Sequence, residues 1–334
     1  MLNRRQFVAG CATLPLLPQS LYAESLVQAQ APVKVLLDTD IGSDIDDAVA
    51  LAYLLRQTRC RLLGITTVTG EAAKRVALAK ALCHAAGQNI PVYAGMETPL
   101  VIAQKQITAP QAEKLKFTGT KPSSNSSPQH AIEFMRDTIY ANPGEIVLLA
   151  VGPMTNLAHL FTLDPKIPSL LKSVVIMAGK YSDYPTPWGP TEWNAIVDPH
   201  AIDQVFRAAA GNITAFGLDI TWQVSMTPRE VKSRFEIDPL LDIVKSWSEV
   251  RFRERSLLHF HDPLAAAALF KPDICNYAVG DVRVDFSTPK AAGITHFSAG
   301  PSGAIRVANQ VRPALFFDEY FRPFAATSHQ IGLR

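Results

Sequence analysis

Short apolar runs alternate with amphipathic stretches along the chain from Val33 onwards. The apolar runs predict strands at Val33–Leu37, Leu62–Thr67, Glu145–Ala150, Ser173–Met177 and Ile213–Gly217. The stretches between them have helical spacing and predict helices that include Asp46–Arg56, Ala72–Ala86, Ala131–Tyr140, Met154–Leu163 and Pro199–Ala210. Continuously apolar strands that alternate with helices are typical of a parallel sheet buried on both faces. The sequence therefore predicts an α/β fold, with an open, mostly parallel, Rossmann-like sheet and helices on both faces.

The N-terminal segment breaks this alternation and is typical of an export signal. Arg4 and Arg5 precede an apolar run, Phe7–Leu17, that is too short to cross a membrane as a helix. The paired arginines indicate a twin-arginine signal peptide over residues 1–23. Lipidation at Cys11 is the second possibility, and a membrane association is expected only in that case.

The remaining chain shows no repeat and no break in composition. We expect a linker at 24–32 and a single domain at 33–334, in a periplasmic or secreted protein. Lys and Arg total 32 against 30 for Asp and Glu, a net charge of +2, and removal of Arg4 and Arg5 leaves +2 − 2 = 0. Because no basic excess remains to attract a polyanion, nucleic acid is not an expected partner.

Carboxylates are concentrated after the first predicted strand. Five lie within ten residues, at Asp38, Asp40, Asp44, Asp46 and Asp47. Asp38 and Asp40 are two apart and share one side of an extended backbone, Asp46 and Asp47 open a helix, and Gly42 allows a sharp turn between the pairs. So many carboxylates repel one another unless a cation lies among them. A hard divalent ion with six to eight oxygen ligands fits this pattern.

A second acidic position follows a histidine, at His261 and Asp262. Asp262 precedes a proline and an alanine-rich helix, so a plain helix N-cap and a ligand are both open. His261 fits either a buried core histidine or a catalytic group.

One rival class also begins with an apolar strand that runs into Asp-x-Asp. Phosphatases of the haloacid dehalogenase type share this feature, and Gly280–Asp285 imitates their late acidic motif. However, Val282 and Val284 alternate with charged residues, which indicates an ordinary half-exposed strand.

Four segments, in order along the chain, together resemble the inosine–uridine-preferring nucleoside hydrolase family. They are Asp38-Thr39-Asp40 with Gly42 and Asp46-Asp47-Ala48, Gly152–Ala158, Glu192-Trp193-Asn194 with Val197-Asp198-Pro199, and His261-Asp262-Pro263. The resemblance implies the nucleoside hydrolase fold, with 33–334 as the catalytic domain. It also implies hydrolysis of the N-glycosidic bond of small ribonucleosides to base and ribose, and a homodimer or homotetramer.

The resemblance also implies a role for individual residues. The Ca²⁺ ligands would be Asp40, Asp47, the backbone carbonyl of Val151, and Asp262. Asp40 would activate the attacking water, and His261 would protonate the departing base. The ribose would contact Glu192 and Asn194 and lie over Met177. It would also contact Asp44 or Asp46; register with Ala48 favours Asp46.

Several positions depart from the family pattern, so the sequence leaves the preferred base open. The first acidic segment is two residues longer than the common form, and Glu71 and Thr186 stand where asparagines are usual. These changes keep open a non-catalytic protein that binds a ribosyl ligand. Trp188, in a proline-rich loop, is a candidate for base contact, and Trp222 is expected to pack internally. The charged run Arg251–Arg255 is expected to be a solvated helix face.

Overall fold

The computed structural model describes residues 31–115, 127–209 and 211–331, with side chains up to residue 325. The signal peptide predicted at 1–23, the Cys11 site and most of the linker lie outside the described residues. The chain from Pro32 to Arg334 forms one compact unit. Within the described part, no helix combines the length and apolar character that a membrane span needs.

A nine-stranded sheet is the centre of the fold, in the order β10-β9-β11-β6-β5-β4-β1-β2-β3. Its strands are β1 Val33–Thr39, β2 Cys60–Thr67, β3 Val92–Ala94, β4 Ile146–Ala150, β5 Ser173–Met177, β6 Ile213–Phe216, β9 Cys275–Val284, β10 Thr295–Ala299 and β11 Ile305–Val311. The strands from β11 to β3 pair in parallel, and β9 is antiparallel to both β10 and β11. A separate two-stranded sheet pairs β7 Ser225–Met226 with β8 Leu258–His259.

Helices connect the strands. They are α1 Asp46–Arg56, α2 Ala72–Ala85, α3 Pro128–Tyr140, α4 Thr155–Leu163, α5 Ile167–Leu170, α6 Trp193–Val197, α7 Pro199–Ala208, α8 Leu218–Thr221, α9 Pro228–Arg234, α10 Pro239–Arg251, α11 His261–Ala268 and α12 Pro313–Ile331. The five predicted strands and five predicted helices are confirmed, with ends that differ by at most a few residues. The Val282 and Val284 segment is also a strand, within β9.

Both faces of the sheet are buried, as predicted for parallel strands with apolar side chains throughout. Successive residues of β1 enter different cores: Val35 and Leu37 pack with α1, α11 and α12, whereas Leu36 packs with α3, α4 and α7. Because side chains alternate across a strand, burial of both faces requires consecutive apolar residues in the middle of the strand. The predicted α/β architecture is confirmed.

The chain order reverses at β1, which pairs with β2 on one side and β4 on the other. Connections from these strands leave in opposite directions, so a crevice opens beyond their carboxyl ends. The topology therefore places the segment after Thr39 beside the segment after Ala150.

Candidate active site

A cavity of about 450 Å³ lies at the carboxyl ends of β1, β4 and β5. All ten residues that the sequence predicted for the site line it: Asp40, Asp46, Asp47, Val151, Met177, Trp188, Glu192, Asn194, His261 and Asp262. Asp44, the alternative to Asp46, also lines it. The structure thus brings together residues that are more than 200 positions apart in sequence, while their individual roles stay predictions.

Asp38, the first acid of the acidic segment, has a structural role. Asp38 is fully buried and does not line the cavity. Its Oδ1 accepts hydrogen bonds from the Thr66 hydroxyl and from the Asn156 amide at 2.7 Å, which ties β1 to β2 and α4. Burial raises the pKa of Asp38 to about 7, against the opposing effect of these two donors. The cluster predicted from five acids therefore loses this member.

Asp40 is held from two directions. The Gln106 side-chain amide donates to its carboxylate, and the Arg75 guanidinium donates to its backbone carbonyl. Burial raises the pKa of Asp40, while the charge of Arg75 and the Gln106 hydrogen bond lower it. Gly42 makes the predicted turn at φ 114°, and a β-carbon there would lie 2.7 Å from a Leu78 methyl.

Three buried carboxylates meet at the start of two helices. Asp46 and Asp47 lie in the first turn of α1 and Asp262 in the first turn of α11, and one oxygen from each lies within 4.8 Å of the others. The Thr39 hydroxyl donates to Asp47, and the Asp262 N–H donates to Asp46 at 3.2 Å. Partial positive charge at the helix N-termini favours anions here.

The negative charges of this acidic cluster need a compensating positive charge. Burial raises the pKa of Asp46, Asp47 and Asp262 well above the usual range, and repulsion between neighbouring aspartates raises each further. A cation among them would remove both effects. Carboxylates and a nearby backbone carbonyl are hard oxygen donors, so the residues present fit a hard divalent ion.

The opposite wall contains the Glu-x-Asn segment. Glu192 caps α6, and its carboxylate accepts backbone N–H groups of Asn194 at 2.8 Å, Gly179 at 2.8 Å and Ala195 at 2.9 Å. Burial raises the pKa of Glu192 to about 7, although these three donors lower it. The Asn194 amide donates to the carbonyls of Val151 at 2.7 Å and Met177 at 2.9 Å. These five hydrogen bonds hold Glu192 and Asn194 in place on this wall.

His261 lies in a column of aromatic rings. The Trp222 ring stacks on the His259 ring with 3.7 Å between the ring centroids, and its centroid is 6.1 Å from that of His261. The Trp188 ring packs edge-to-face with Trp222 at a centroid distance of 5.1 Å. The Thr221 hydroxyl and His261 Nδ1 are 2.7 Å apart. Burial, aided by the charges of His259 and Arg251, holds the pKa of His261 well below its usual range. Trp222 is half-buried and packs against His259, in agreement with the packing role predicted for it.

Two substituted positions turn away from the cavity. Glu71 has a left-handed backbone (φ 61°), and its carboxylate accepts the Ala109 N–H at 2.8 Å and pairs with Lys74. The Thr186 hydroxyl donates to the Gly189 carbonyl at 3.1 Å. Neither residue lines the cavity.

The expectation of a solvated helix face at 251–255 is wrong at Arg251, whereas Arg253, Glu254 and Arg255 are exposed as expected and lie in the turn after α10. Arg251 pairs with Asp44, and its side chain is only 16% exposed. Arg255 also lines the cavity, and its guanidinium lies 5.6 Å from the Trp188 ring centre. Arg251 continues the buried stripe of Val244, Trp247 and Ser248 on α10 at helical spacing, which is the signal that could have identified it.

Sequence reasoning also missed Arg75 and Gln106. Arg75 interrupts an apolar stripe that continues through Leu78, Ala79 and Leu82 on α2, and a charged residue in such a stripe indicates a buried network. Gln106 lies in an irregular polar segment without periodicity. The one distinguishing feature of Gln106 is its position before Ile107 in a long loop, and this feature does not predict which residue its side chain contacts.

Known proteins share this arrangement. The sequence profile described as inosine-uridine preferring nucleoside hydrolase matches residues 35–318. Uridine nucleosidase 1 of Arabidopsis thaliana is 30% identical over 266 residues, which cover 75% of this chain and 78% of that protein. The inosine-uridine preferring nucleoside hydrolase of Crithidia fasciculata is 30% identical over 280 residues, 79% of this chain and 87% of that protein.

A solved structure also resembles this chain. The plant nucleoside hydrolase PpNRh1 superimposes with a TM-score of 0.76 at 25% identity, covering 88% of this chain and 99% of that chain. The phosphatase alternative is wrong: its imitating motif, Gly280–Asp285, lies on and just after the antiparallel strand β9, away from the cavity-lining residues. The chain belongs to the inosine-uridine preferring nucleoside hydrolase family, and it is an enzyme that hydrolyses the N-glycosidic bond of ribonucleosides.

Proposed function

We propose that this nucleoside hydrolase works with Ca²⁺, with Asp40 as the base for the attacking water and His261 as the proton donor to the departing nucleobase. The observation that carries the proposal is the meeting of Asp46, Asp47 and Asp262 within 4.8 Å at the start of two helices. Three buried carboxylates at this separation repel one another strongly without a cation.

The proposed metal ligands are Asp40, Asp47, Asp262 and the Val151 carbonyl. The Val151 carbonyl accepts one hydrogen bond, from Asn194, which leaves its second lone pair for a ligand. The Asp46 carboxylate accepts a hydrogen bond from the Asp262 N–H, which holds it beside the proposed metal ligands. This position supports Asp46 as the residue that contacts the ribose, which the register with Ala48 also favours. Asp44 is less suited to the ribose because it pairs with Arg251.

When bound, calcium would lower the pKa of water and orient the vicinal hydroxyls of the sugar. Asp40, held by Gln106, accepts the proton of the water as it attacks the anomeric carbon. The transition state resembles an oxocarbenium ion, so the carboxylates of Asp46 and Glu192 stabilise its positive charge. Met177 lies at the end of β5 and would pack under the sugar.

The leaving base needs a proton on the nitrogen that keeps the bonding electrons. Only a protonated His261 ring can donate without becoming an imidazolate, and burial in the free enzyme lowers its pKa. The acid role therefore requires the bound substrate, together with the carboxylates of the cavity, to raise this pKa. The Nδ1–H of the protonated ring would donate to the Thr221 hydroxyl, which leaves the Nε2–H for the base.

The decisive experiment measures ribose release from a panel of purine and pyrimidine nucleosides, with chelator and after calcium is added back. Asp40→Ala should lower kcat by about 10²–10⁴-fold while the fold remains intact. Asp242→Asn, which removes an exposed acid of α10 that pairs with Lys245, is the matched control and should retain activity. Full activity of chelated enzyme, or of Asp40→Ala, would exclude this mechanism.

His261→Ala tests the acid. It should slow nucleosides with poorly leaving bases far more than an aryl riboside whose leaving group needs no proton. Equal losses on both substrates would remove His261 from the acid role.

We also propose that the enzyme is exported before it acts. The paired arginines and apolar run of the first 23 residues support this. Fractionation of cells should place the activity outside the cytoplasm, and replacement of Arg4 and Arg5 by lysine should retain it inside.

A further inference from the structure

Two arginines extend from the end of α10 towards the cavity. Arg251 is the last residue of the helix, and the Arg255 N–H donates to its carbonyl at 3.1 Å, so the chain makes one further turn. Residues four apart on such a turn lie on the same side. Both arginines line the cavity, and Lys105 adds a third cationic residue to its lining.

The charge of these arginines is only partly compensated. Arg251 pairs with Asp44 through one nitrogen, and its buried Nε has no hydrogen-bond partner among the described residues. Arg255 is exposed and forms no ion pair within the described part of the chain; its guanidinium lies over Trp188. Lys105 donates to the Ile196 carbonyl at 2.8 Å and forms no ion pair with a carboxylate of the described residues.

Arg255 lies towards the end of the cavity where the base would leave, whereas Lys105 lies beside α6. Trp188, which contacts Arg255, meets the edge of Trp222, and the Trp222 ring lies 6.1 Å from His261. The wall assigned to the sugar contains carboxylates and amides instead, with Glu192 and Asn194. A negative group on the sugar would therefore face like charges, whereas one on the base would face arginine.

We propose that this enzyme selects ribonucleosides whose base carries a negative charge, a ring carboxylate being the simplest, and that Arg255 recognises that charge beside Trp188. The inference rests on the proposed function, in which the base lies beside His261. An arginine can bind a carboxylate through two parallel hydrogen bonds. Trp188, 40% exposed, would cover the ring that carries it.

The test compares two pyridine ribosides that differ only in a ring carboxylate or a ring carboxamide, nicotinate riboside and nicotinamide riboside. The wild-type enzyme should have the higher kcat/KM on the carboxylate. Arg255→Gln should lower the ratio of the two kcat/KM values by about 10- to 100-fold, the range for hydrogen bonds to a charged group. Added salt should lower the same ratio, since the contact is exposed.

Arg253→Gln is the matched control. Arg253 pairs with Glu113, has a side chain 57% exposed and does not line the cavity, so its replacement should leave the ratio unchanged. A wild-type ratio of one or less, or a ratio that Arg255→Gln does not change, would overturn the inference. So would an Arg255-dependent preference for uridine 5′-monophosphate over uridine, because the recognised charge would then lie on the sugar.

The two proposals fail in different ways. If no nucleoside of the panel releases ribose with calcium present, the proposed function fails. If neutral and charged nucleosides release ribose equally well, the function stands and only the charge selection is wrong.

Discussion

Arg75→Met tests whether one buried arginine holds the loop that carries Asp40. The Arg75 side chain is fully buried and donates to the carbonyls of Gly70 at 2.7 Å and Thr108 at 3.0 Å, to the Ser43 hydroxyl at 2.8 Å, and to the Asp40 carbonyl. These acceptors belong to three separate segments around the cavity. Methionine retains much of the aliphatic volume and removes every donor, so the substitution isolates the hydrogen bonds.

The expected loss follows from the acceptors that are left without a donor. Each buried acceptor without a partner costs about 1–3 kcal/mol, and loss of one member of a buried charged network costs about 3–5 kcal/mol in total. We take about 3–5 kcal/mol for Arg75→Met, because local relaxation recovers part of the sum. For a unit of about 300 residues the unfolding entropy is about 0.6 kcal/mol per kelvin, so Tm should fall by about 5–8 °C.

The assay is thermal and urea unfolding, together with kcat for ribose release. Activity should fall along with stability because the Asp40 backbone loses its anchor. Arg207→Met is the control: Arg207 is 76% exposed and pairs with Asp203 one turn away, so its loss should cost less than about 0.5 kcal/mol. A change below about 1 kcal/mol for Arg75→Met, with unaltered kcat, would refute the view that this arginine organises the site.

Three further predictions concern the cavity and its rim. Gln106→Leu should lower kcat about tenfold with a smaller change in KM, because the Asp40 carboxylate loses a donor that holds its orientation; steady-state kinetics on one nucleoside decides this. Calcium at a thousand times its Kd should stabilise the fold by about 4 kcal/mol, and Asp262→Asn should remove most of that shift in a thermal melt. Burial lowers the pKa of His259 to about 4 from 6.5, so the unfolded chain binds the extra proton and stability falls as pH decreases from 6.5 towards 4. His259→Phe keeps a ring against Trp222 and should flatten this part of the pH profile of unfolding.

The fold could be predicted because the central strands contain runs of consecutive apolar residues. Val35, Leu36 and Leu37 face alternate cores, and only a sheet covered on both sides requires this. The edge of the sheet carries less information. In β10 four of the five residues are partly or fully exposed, so Thr295–Ala299 lacks an apolar run and sequence reasoning did not predict it.

The residues of the site could be predicted from the sequence, but the contacts that connect them could not. Acids such as Asp47 and Asp262 stand out because charges at helix starts are easily recognised in a sequence. By contrast, Gln106 contacts Asp40 across 66 positions through an irregular segment. Contacts of that kind depend on the path of a loop, which periodicity does not define.

Ser43 and Asp44, in the first acidic segment, connect the Asp40 loop to the segments that flank it. Ser43 accepts hydrogen bonds from both Arg75 and Gln106, so it joins the anchor of the Asp40 loop to the donor that contacts the Asp40 carboxylate. Asp44 pairs with Arg251 and so fixes the end of α10 beside the cavity. A loop without these contacts would lose more entropy on ordering and would leave Asp40 less ordered. Here Ser43 and Asp44 bind both flanking segments, so the loop stays ordered and Asp44 also holds Arg251 at the cavity.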